Sequence, residues 1–383
     1  MTLIEASEKP DRRPGRERRI VVYLIVVAVL VALPVVAREL GISFLSSPKL
    51  LPIALFIVLA LGLNVVVGFA GLLDLGYAAF FAIGAYTVGL LTSPSSLLPY
   101  HEMNFWVAMV IAAVVAGIFG VILGAPTLRL RGDYLAIVTL GFGEIVPLVI
   151  KNTPEVTHGV LGIAPIGLPE IDLFGFQYRW GIESTPWYYL VLIVGALSVF
   201  LTARLRDARI GRAWAAMRED EVAAASMGVN LVNTKLFAFA LGASFSGFAG
   251  AIWAGYLQQI SPEQFDFSVS IFVLCMIILG GIGNIWGVVL GGAILGGFDR
   301  ILAEVINNSI RSLATATGSV FLAELDVVKA KGFILGISLV VLMNVRPEGL
   351  FPSGRRKAEL HAGDESGVQE HQAKETLFDK ADT

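Results

Sequence analysis

The sequence has few charged residues and almost no cysteine. Asp, Glu, Lys and Arg make up 15% of its 383 residues, whereas soluble domains carry about 25%. Hydrophobic residues reach 56% and the mean hydropathy is +0.75. This balance argues against a soluble domain and predicts a polytopic membrane protein. The single cysteine, Cys275, excludes an intrachain disulfide.

The sequence also lacks the motifs of nucleotide and metal chemistry. No G-x-x-x-x-G-K-[ST] segment is present, so the chain has no P-loop and we do not expect it to hydrolyse ATP. Its four histidines do not pair at ligand spacing, which predicts no metal site. The stretch Gly280–Gly287 has neither the G-x-G-x-x-G spacing nor a preceding strand pattern, and it indicates a helix break. We therefore expect no catalytic residues and no cofactor.

Apolar runs fill most of the chain. A membrane-spanning helix needs about 20 apolar residues. Apolar runs cover 20–37, 50–91, 104–127, 133–151, 186–203, 235–257, 269–303 and 332–345. The run 50–91 is long enough for two helices, and its break is predicted near Gly68, Gly71 and Asp74. Residues 304–331 are too charged for a lipid-facing span.

The distribution of basic residues predicts the orientation. Lys and Arg are enriched on the cytoplasmic side, which places residues 1–19 and the charged segment, residues 204–235, in the cytoplasm. We interpret 269–303 as two short spans with a tight reversal, which returns the basic C-terminal tail to the cytoplasm. A single tilted span and a re-entrant pair are the alternatives. The sequence thus predicts an all-α polytopic membrane protein of about ten transmembrane helices, including broken or re-entrant segments.

The chain divides into three regions. Residues 1–19 form a basic cytoplasmic tail, residues 20–346 a transmembrane permease domain, and residues 347–383 a polar cytoplasmic tail that we expect to be disordered. A basic start before an apolar run also describes a signal peptide. The run 20–37 is long for one and its cleavage signal is poor, which favours a retained anchor.

Small residues recur every four positions between 242 and 255. One stripe contains Gly242, Ser246, Gly250 and Ala254, and the other contains Ala243, Gly247, Ala251 and Gly255. Such stripes let neighbouring helices approach closely, and we interpret them as packing faces.

Four polar residues at predicted membrane depth are candidates for a translocation pathway. They are Asn64, Asp74, Glu144 and Asn284. Ionisable groups are costly in a membrane, so they indicate functional sites unless they satisfy backbone groups. For Asp74, next to a predicted break, capping of a helix is the favoured alternative. For Glu144 the pathway and the backbone-binding interpretations stay open.

The charged segment contains the residues expected to contact a partner. Residues 211–227 are rich in strong helix formers, and Gly228 with Asn230 supplies a stop. The segment is therefore predicted to contain one helix that carries the acidic and basic cluster at 218–221. This helix either lies on the membrane surface or docks into a groove of a cytoplasmic partner.

Four blocks of sequence, in this order, carry a resemblance to a known family. They are GLNVVVGFAGLLDLGYAAFFAIGAYT at 62–87, TLRLRGDYLAIVTLGFGEIV at 127–146, IGRAWAAMREDEVAAASMGVN at 210–230, and a C-terminal group of SPEQFDF at 261–267, LGGIGNIWGVVLGG at 279–292 and RPEGLFP at 346–352. Together they resemble the M-type permease subunits of branched-chain amino-acid ABC transporters, over roughly residues 50–352. Asp74 and Tyr77 depart from this pattern, because many relatives carry Ser and His there.

The resemblance implies an importer in a bacterial inner membrane. Its parts would be two homologous permeases, two cytoplasmic ATP-binding subunits and an extracytoplasmic substrate-binding protein, with a branched-chain amino acid as substrate. Membrane lipid is the other expected partner, and nucleic acid is not expected. In that family the loop with the RxxREDE-like segment contacts the ATPase, which implies coupling roles for Arg218, Glu219, Asp220, Glu221 and Gly228. The older E-A-A-x-x-x-G signature is matched only with one extra residue of spacing.

Two alternatives stay open at this point. An ABC permease for urea or short amides would share these motifs. An ion-coupled carrier would need no ATPase and would use Asp74 or Glu144 as its ion site. Uptake by the chain alone in an ion gradient would distinguish the carrier from the ATP-driven importer.

Overall fold

The computed structural model describes residues 29–39, 41, 45–96, 103–127, 133–173, 176–181 and 183–317, together with separate positions between 330 and 351. The chain divides into two compact units, of which Met1–Ser47 is the first, and its described part includes a helix at 29–39. The second unit begins at Pro48 and contains the elements discussed below, apart from the first residue of α1.

The second unit consists of α-helices and a short β-hairpin. The helices are α1 (Ser47–Asn64), α2 (Tyr77–Thr92), α3 (Phe105–Thr127), α4 (Asp133–Lys151), α5 (Pro154–Thr157), α6 (Ser184–Asp207), α7 (Arg209–Glu219), α8 (Glu221–Ser226), α9 (Leu231–Leu257), α10 (Phe267–Gly280), α11 (Ile285–Gly297) and α12 (Ala303–Thr317). Two π-helical turns, Val65–Phe69 and Phe298–Leu302, extend α1 and α11, and 3-10 turns lie at Gly159–Leu161 and Pro262–Phe265. Strands β1 (Glu170–Leu173) and β2 (Phe176–Arg179) pair antiparallel, with Glu170 opposite Arg179.

The predicted all-α polytopic fold is confirmed. In the described part of the chain, 7 helices are long and apolar enough to cross a membrane, and α2 is a shorter apolar helix of 16 residues. The total of about ten stays a prediction, because the structure describes the runs 20–37 and 332–345 only in part. The tail 1–19 and most of the tail 347–383 lie outside them as well.

Helix α9 lies at the centre of the bundle because its two small-residue stripes admit neighbours on two sides. A Cβ added at Gly242 would lie 3.1 Å from the carbonyl oxygen of Gly62 in α1. On the other stripe, a Cβ at Gly247 would lie 2.8 Å from the carbonyl oxygen of Ala112 in α3. The stripes therefore form packing faces, as the spacing predicted.

The break predicted in the run 50–91 lies between Val65 and Gly76, where a π-helical turn gives way to irregular chain before α2. The break predicted at Gly280–Gly287 is also present. Helices α10 and α11 meet there as an antiparallel pair, since a Cβ at Gly291 would lie 2.7 Å from the amide nitrogen of Gly280. Gly281 and Gly283 have φ of 113° and 81°, which only glycine adopts readily. This geometry contradicts a single tilted span over 269–303.

The helix that starts at Ile285 continues past the expected end at 303. It runs through the π-helical turn into α12, and the candidate membrane span covers Ile285–Leu313. Charge in this stretch is paired: Lys49 Nζ lies 2.7 Å from Glu304 Oε2, and Arg300 lies 3.1 Å from Asp299. Pairing of this kind lowers the cost of charge next to the membrane.

The two ends of the bundle differ in chemistry. An aromatic cluster lies where α3 and α6 begin, with the Trp106 and Trp180 ring centroids 5.5 Å apart and those of Trp180 and Trp187 5.3 Å apart. Tryptophan is enriched where helices leave the hydrocarbon region. The charged segment lies at the other end, where α6 finishes and α9 starts.

Candidate coupling and translocation site

The charged segment folds as two helices instead of one. The predicted helix over 211–227 is interrupted at Asp220, which has extended backbone between α7 and α8. The Asp220 carboxylate accepts hydrogen bonds from the amides of Val222 at 2.7 Å and Ala223 at 3.0 Å. This is an N-cap, and a carboxylate also suits the positive end of a helix. The prediction of a single helix was wrong because the Asp220 side chain competes for those amides.

Helix α7 is anchored by its apolar side. Trp214 is completely buried, and its indole N–H donates to the carbonyl oxygen of Thr234 at 2.8 Å. Met217 is buried next to it. The segment ends at Gly228, whose φ of 86° matches the left-handed stop that the sequence predicted. Asn230 has another role, since its side chain accepts from the Asn233 amide and caps α9.

Arg218 points into the bundle and lies between the two helix breaks. Its Nη1 donates to the carbonyl oxygen of Gly68 at 2.7 Å. A Cβ at Gly283 would lie 3.6 Å from the same Nη1, and a Cβ at Gly71 would lie 2.8 Å from Arg218 Cγ. A charged donor strengthens such a hydrogen bond. The guanidinium thus joins α7 to the π-helical turn after α1 and lies beside the reversal between α10 and α11.

Glu221 is also held within the chain. Its carboxylate lies 2.7 Å from Lys235 Nζ, and the Lys235 side chain is 6% exposed. Lys235 is the last residue of the charged segment, and its position there gave no sign that it is the buried partner of Glu221. Glu219 and Asp220 are exposed. Of the predicted coupling residues, Arg218 and Glu221 therefore connect the segment to the bundle, and Glu219 and Asp220 form its outer surface.

Asn64 and Asn284 tie the two breaks to their surroundings. The fully buried Asn64 accepts from the Gly283 amide at 3.0 Å, which connects α1 to the reversal. Asn284 caps α11 by accepting from the Trp286 amide at 3.2 Å, and it donates to the carbonyl oxygen of Phe351 at 2.8 Å. Both amide side chains satisfy backbone groups at the end of the bundle where Arg218 lies.

Asp74 caps the break before α2, the alternative favoured for it. The side chain is 1% exposed, and its Oδ1 accepts from the Gly76 amide at 2.9 Å. Its Oδ2 has no hydrogen-bond partner among the described residues. Hydroxyls that the sequence did not single out complete this turn: Thr139 accepts from the Leu75 amide at 3.0 Å, and Ser270 accepts from the Ala78 amide at 2.9 Å. Single serines and threonines in apolar helices carry no pattern that would have identified them.

Glu144 lies apart from these contacts. It is on the exposed side of α4, whereas Thr139 and Gly143 of the same helix are buried against the turn before α2. In the structure, Asn64 and Arg218 lie together beside the reversal that precedes Asn284. Asp74 lies in the neighbouring turn and Glu144 on a separate face.

Known proteins share this sequence pattern. Residues 49–343 match the family model described as "Branched-chain amino acid transport system / permease component". The chain belongs to this family. The permease protein LivM of the high-affinity branched-chain amino-acid transport system from Salmonella typhimurium is 38% identical over 335 residues, which cover 82% of this chain and 72% of that protein. LivM of Escherichia coli gives the same identity and coverage.

The second permease type is also related, at a greater distance. LivH of Escherichia coli is 24% identical over 270 residues, which cover 67% of this chain and 83% of LivH. No solved structure matches the chain. The family consists of transporter permeases, which are not themselves enzymes. With its apolar helices, this chain is a multi-pass membrane protein of that family.

Proposed function

We propose that this chain forms half of the membrane pathway of an ATP-driven importer for branched-chain amino acids. Its partners are a second, LivH-type permease, two cytoplasmic ATP-binding subunits and an extracytoplasmic substrate-binding protein. The similarity to LivM over most of the chain supports the transport system and the substrate class. The chain brings no P-loop, so ATP acts through the partners.

The observation that carries the coupling role is the Arg218 contact. Helix α7 is attached to the bundle at two points. The Trp214 indole donates to the Thr234 carbonyl, and the Arg218 guanidinium donates to the Gly68 carbonyl in the break after α1. A displacement of α7 by the ATP-binding subunits is therefore passed to the turn after α1 and to the adjoining reversal. Broken helices are tolerated in membranes where protein or a water-filled cavity surrounds them, which makes these breaks suitable moving parts.

The coupling and pathway candidates have different roles in this mechanism. Glu219, Asp220 and the stop at Gly228 form the outer surface that the ATP-binding subunit contacts. Arg218 and Glu221 transmit its displacement inward. Asn64 and Asn284 hold the breaks. Asp74 caps the turn before α2 through Oδ1 and provides its second carboxylate oxygen, Oδ2, for the pathway, and Glu144 provides a carboxylate for the pathway on α4.

Reconstitution in proteoliposomes tests this proposal. The full set of subunits, with ATP enclosed on the cytoplasmic side, should accumulate labelled leucine, isoleucine or valine only when the binding protein is present. Labelled urea added at the same concentration should not accumulate. The chain alone, given a sodium or proton gradient, should show no uptake. Uptake by the chain alone would favour an ion-coupled carrier, and accumulation of urea in place of leucine would favour the amide permease.

A further inference from the structure

One face of α4 is exposed although the helix is apolar enough to span a membrane. Its exposed residues follow helical spacing: Tyr134, Ile137, Glu144, Ile145 and Leu148. Of the apolar stretch of α4 that would cross the membrane, 28% is buried within this chain, which is the lowest share among the 7 candidate spans of the described residues. Among the described residues, the neighbours of α4 thus cover only its other side.

Contacts on that other side fix the rotation of α4. The Thr139 hydroxyl accepts from the Leu75 amide at 3.0 Å, and a Cβ at Gly143 would lie 2.9 Å from Gly76 Cα. Rotating α4 to bury Glu144 would break both contacts. The carboxylate of Glu144 therefore stays on the outer face.

A carboxylate at membrane depth faces protein or water instead of lipid. Gly141, about one helical turn before Glu144, adds a second observation: outside its own turn of helix, no atom of the described residues lies within 4 Å of the position that a Cβ would occupy there. Small residues on membrane helices allow a helix of another subunit to approach closely. We call the gap left by the missing side chain at Gly141 the notch. A notch beside the Glu144 carboxylate at this depth suits a partner protein that is itself embedded in the membrane. The soluble subunits of the importer are therefore excluded.

We propose that the α4 face from Tyr134 to Leu148 packs against the second permease, with Glu144 at the water-filled passage between the two subunits. The inference rests on the proposed function to the extent that it requires a second permease. It adds the surface through which the two permeases meet. Lipid is the other candidate occupant, and cross-linking from this face distinguishes the two.

The first test inserts bulk into the notch. The chain is co-expressed with an affinity-tagged LivH-type permease from the same organism, and the recovery of the chain with the tag is measured. Gly141→Leu should lower this recovery about tenfold, since overpacking a close contact is costly. Gly297→Leu in α11 is the matched control, because among the described residues outside its own turn of helix no atom lies within 4 Å of a Cβ at Gly297 either. This variant should leave recovery unchanged. Equal recovery for both variants, or equal loss, overturns the proposal.

The second test leaves the packing intact. A photo-activated cross-linking amino acid replaces Leu148, which is 56% exposed on α4, or Ile193, which is 66% exposed on α6, in the purified importer. Illumination should join the Leu148 position to the second permease, identified by the mass of the adduct, and the Ile193 position to lipid. Lipid adducts alone at position 148, in a complex that contains the second permease and imports leucine, overturn this inference and leave the proposed function standing. Absence of a second permease from the wild-type importer overturns the proposed function itself.

Discussion

Replacement of Arg218 should separate ATP hydrolysis from transport. The Arg218 guanidinium donates to the Gly68 carbonyl at 2.7 Å, which connects α7 to the break after α1. Hydrogen bonds that involve a charged group contribute about 1.5–3 kcal/mol. Each 1.4 kcal/mol corresponds to about tenfold in an equilibrium. Loss of the contact should therefore shift the balance between connected and released α7 by about tenfold to a hundredfold.

The assay measures labelled leucine taken up per ATP hydrolysed by the proposed importer, reconstituted from its subunits. Arg218→Ala should lower this ratio about tenfold or more while basal ATP hydrolysis continues. Arg218→Gln should have a similar effect, because its neutral and shorter side chain does not reproduce the charged donor. Arg209→Ala, at an exposed position of the same helix, is the control and should keep the wild-type ratio.

Assembly must be measured together with activity. All variants should co-purify with the other subunits in wild-type proportions, because Trp214 still anchors α7. Wild-type transport per ATP in both Arg218 variants, in fully assembled complexes, would refute the assignment of Arg218 as the mechanical link. Equal loss in Arg209→Ala would indicate a general effect of charge on α7 and would refute it as well.

Further predictions concern the stability of the purified complex, measured as the midpoint of thermal unfolding in detergent. Glu221→Gln should destabilise by about 1–3 kcal/mol, because it leaves the buried Lys235 charge unpaired; the double variant with Lys235→Met should recover most of this loss. Gly283→Ala should destabilise by about 1–2 kcal/mol, since φ is 81° there, whereas Gly297→Ala, with open space around its Cβ, should not. Asp74→Asn keeps the oxygen that caps the turn before α2 and should preserve the midpoint, whereas Asp74→Ala should lose about 1 kcal/mol.

Each of these predictions has a contrary outcome. A double variant no more stable than Glu221→Gln would show that the ion pair does not account for the loss. Equal midpoints for the alanine variants at 283 and 297 would contradict the strain assigned to the reversal. A large drop for Asp74→Asn would mean that the charge of Asp74, and not its capping oxygen, holds the turn.

The helices of the bundle were largely predictable from the sequence, because length and apolarity decide where a chain can cross a membrane. The runs 104–127 and 133–151 correspond closely to α3 and α4. The stripes of α9 were predictable for a related reason: small residues at four-residue spacing mark close helix contacts. The breaks near Gly68 and Gly283 followed from local glycine content.

The connections between these elements could not be predicted in the same way. Asp220 looked like one more residue of a helix, and only its contact with two amides shows that it ends one helix and starts another. Arg218 belongs to a polar cluster that local pattern assigns to solvent, yet tertiary structure turns it towards Gly68. The pairing of Glu221 with the buried Lys235 depends on the bend between α8 and α9. Such contacts join residues whose proximity has no periodic signature.

The end of α10 has a consequence for the order in which this protein is made. Its last carbonyl oxygens, on Leu279 and Gly280, accept from the amides of Leu350 and Phe351 at 2.9 and 3.1 Å. During synthesis α10 and α11 leave the ribosome well before residues 349–351 do. These two hydrogen bonds at the reversal therefore cannot form until residues 349–351 have been translated. A chain that stops before Gly349 would lack both hydrogen bonds, so the last two carbonyl oxygens of α10 would lose the partners that this segment supplies.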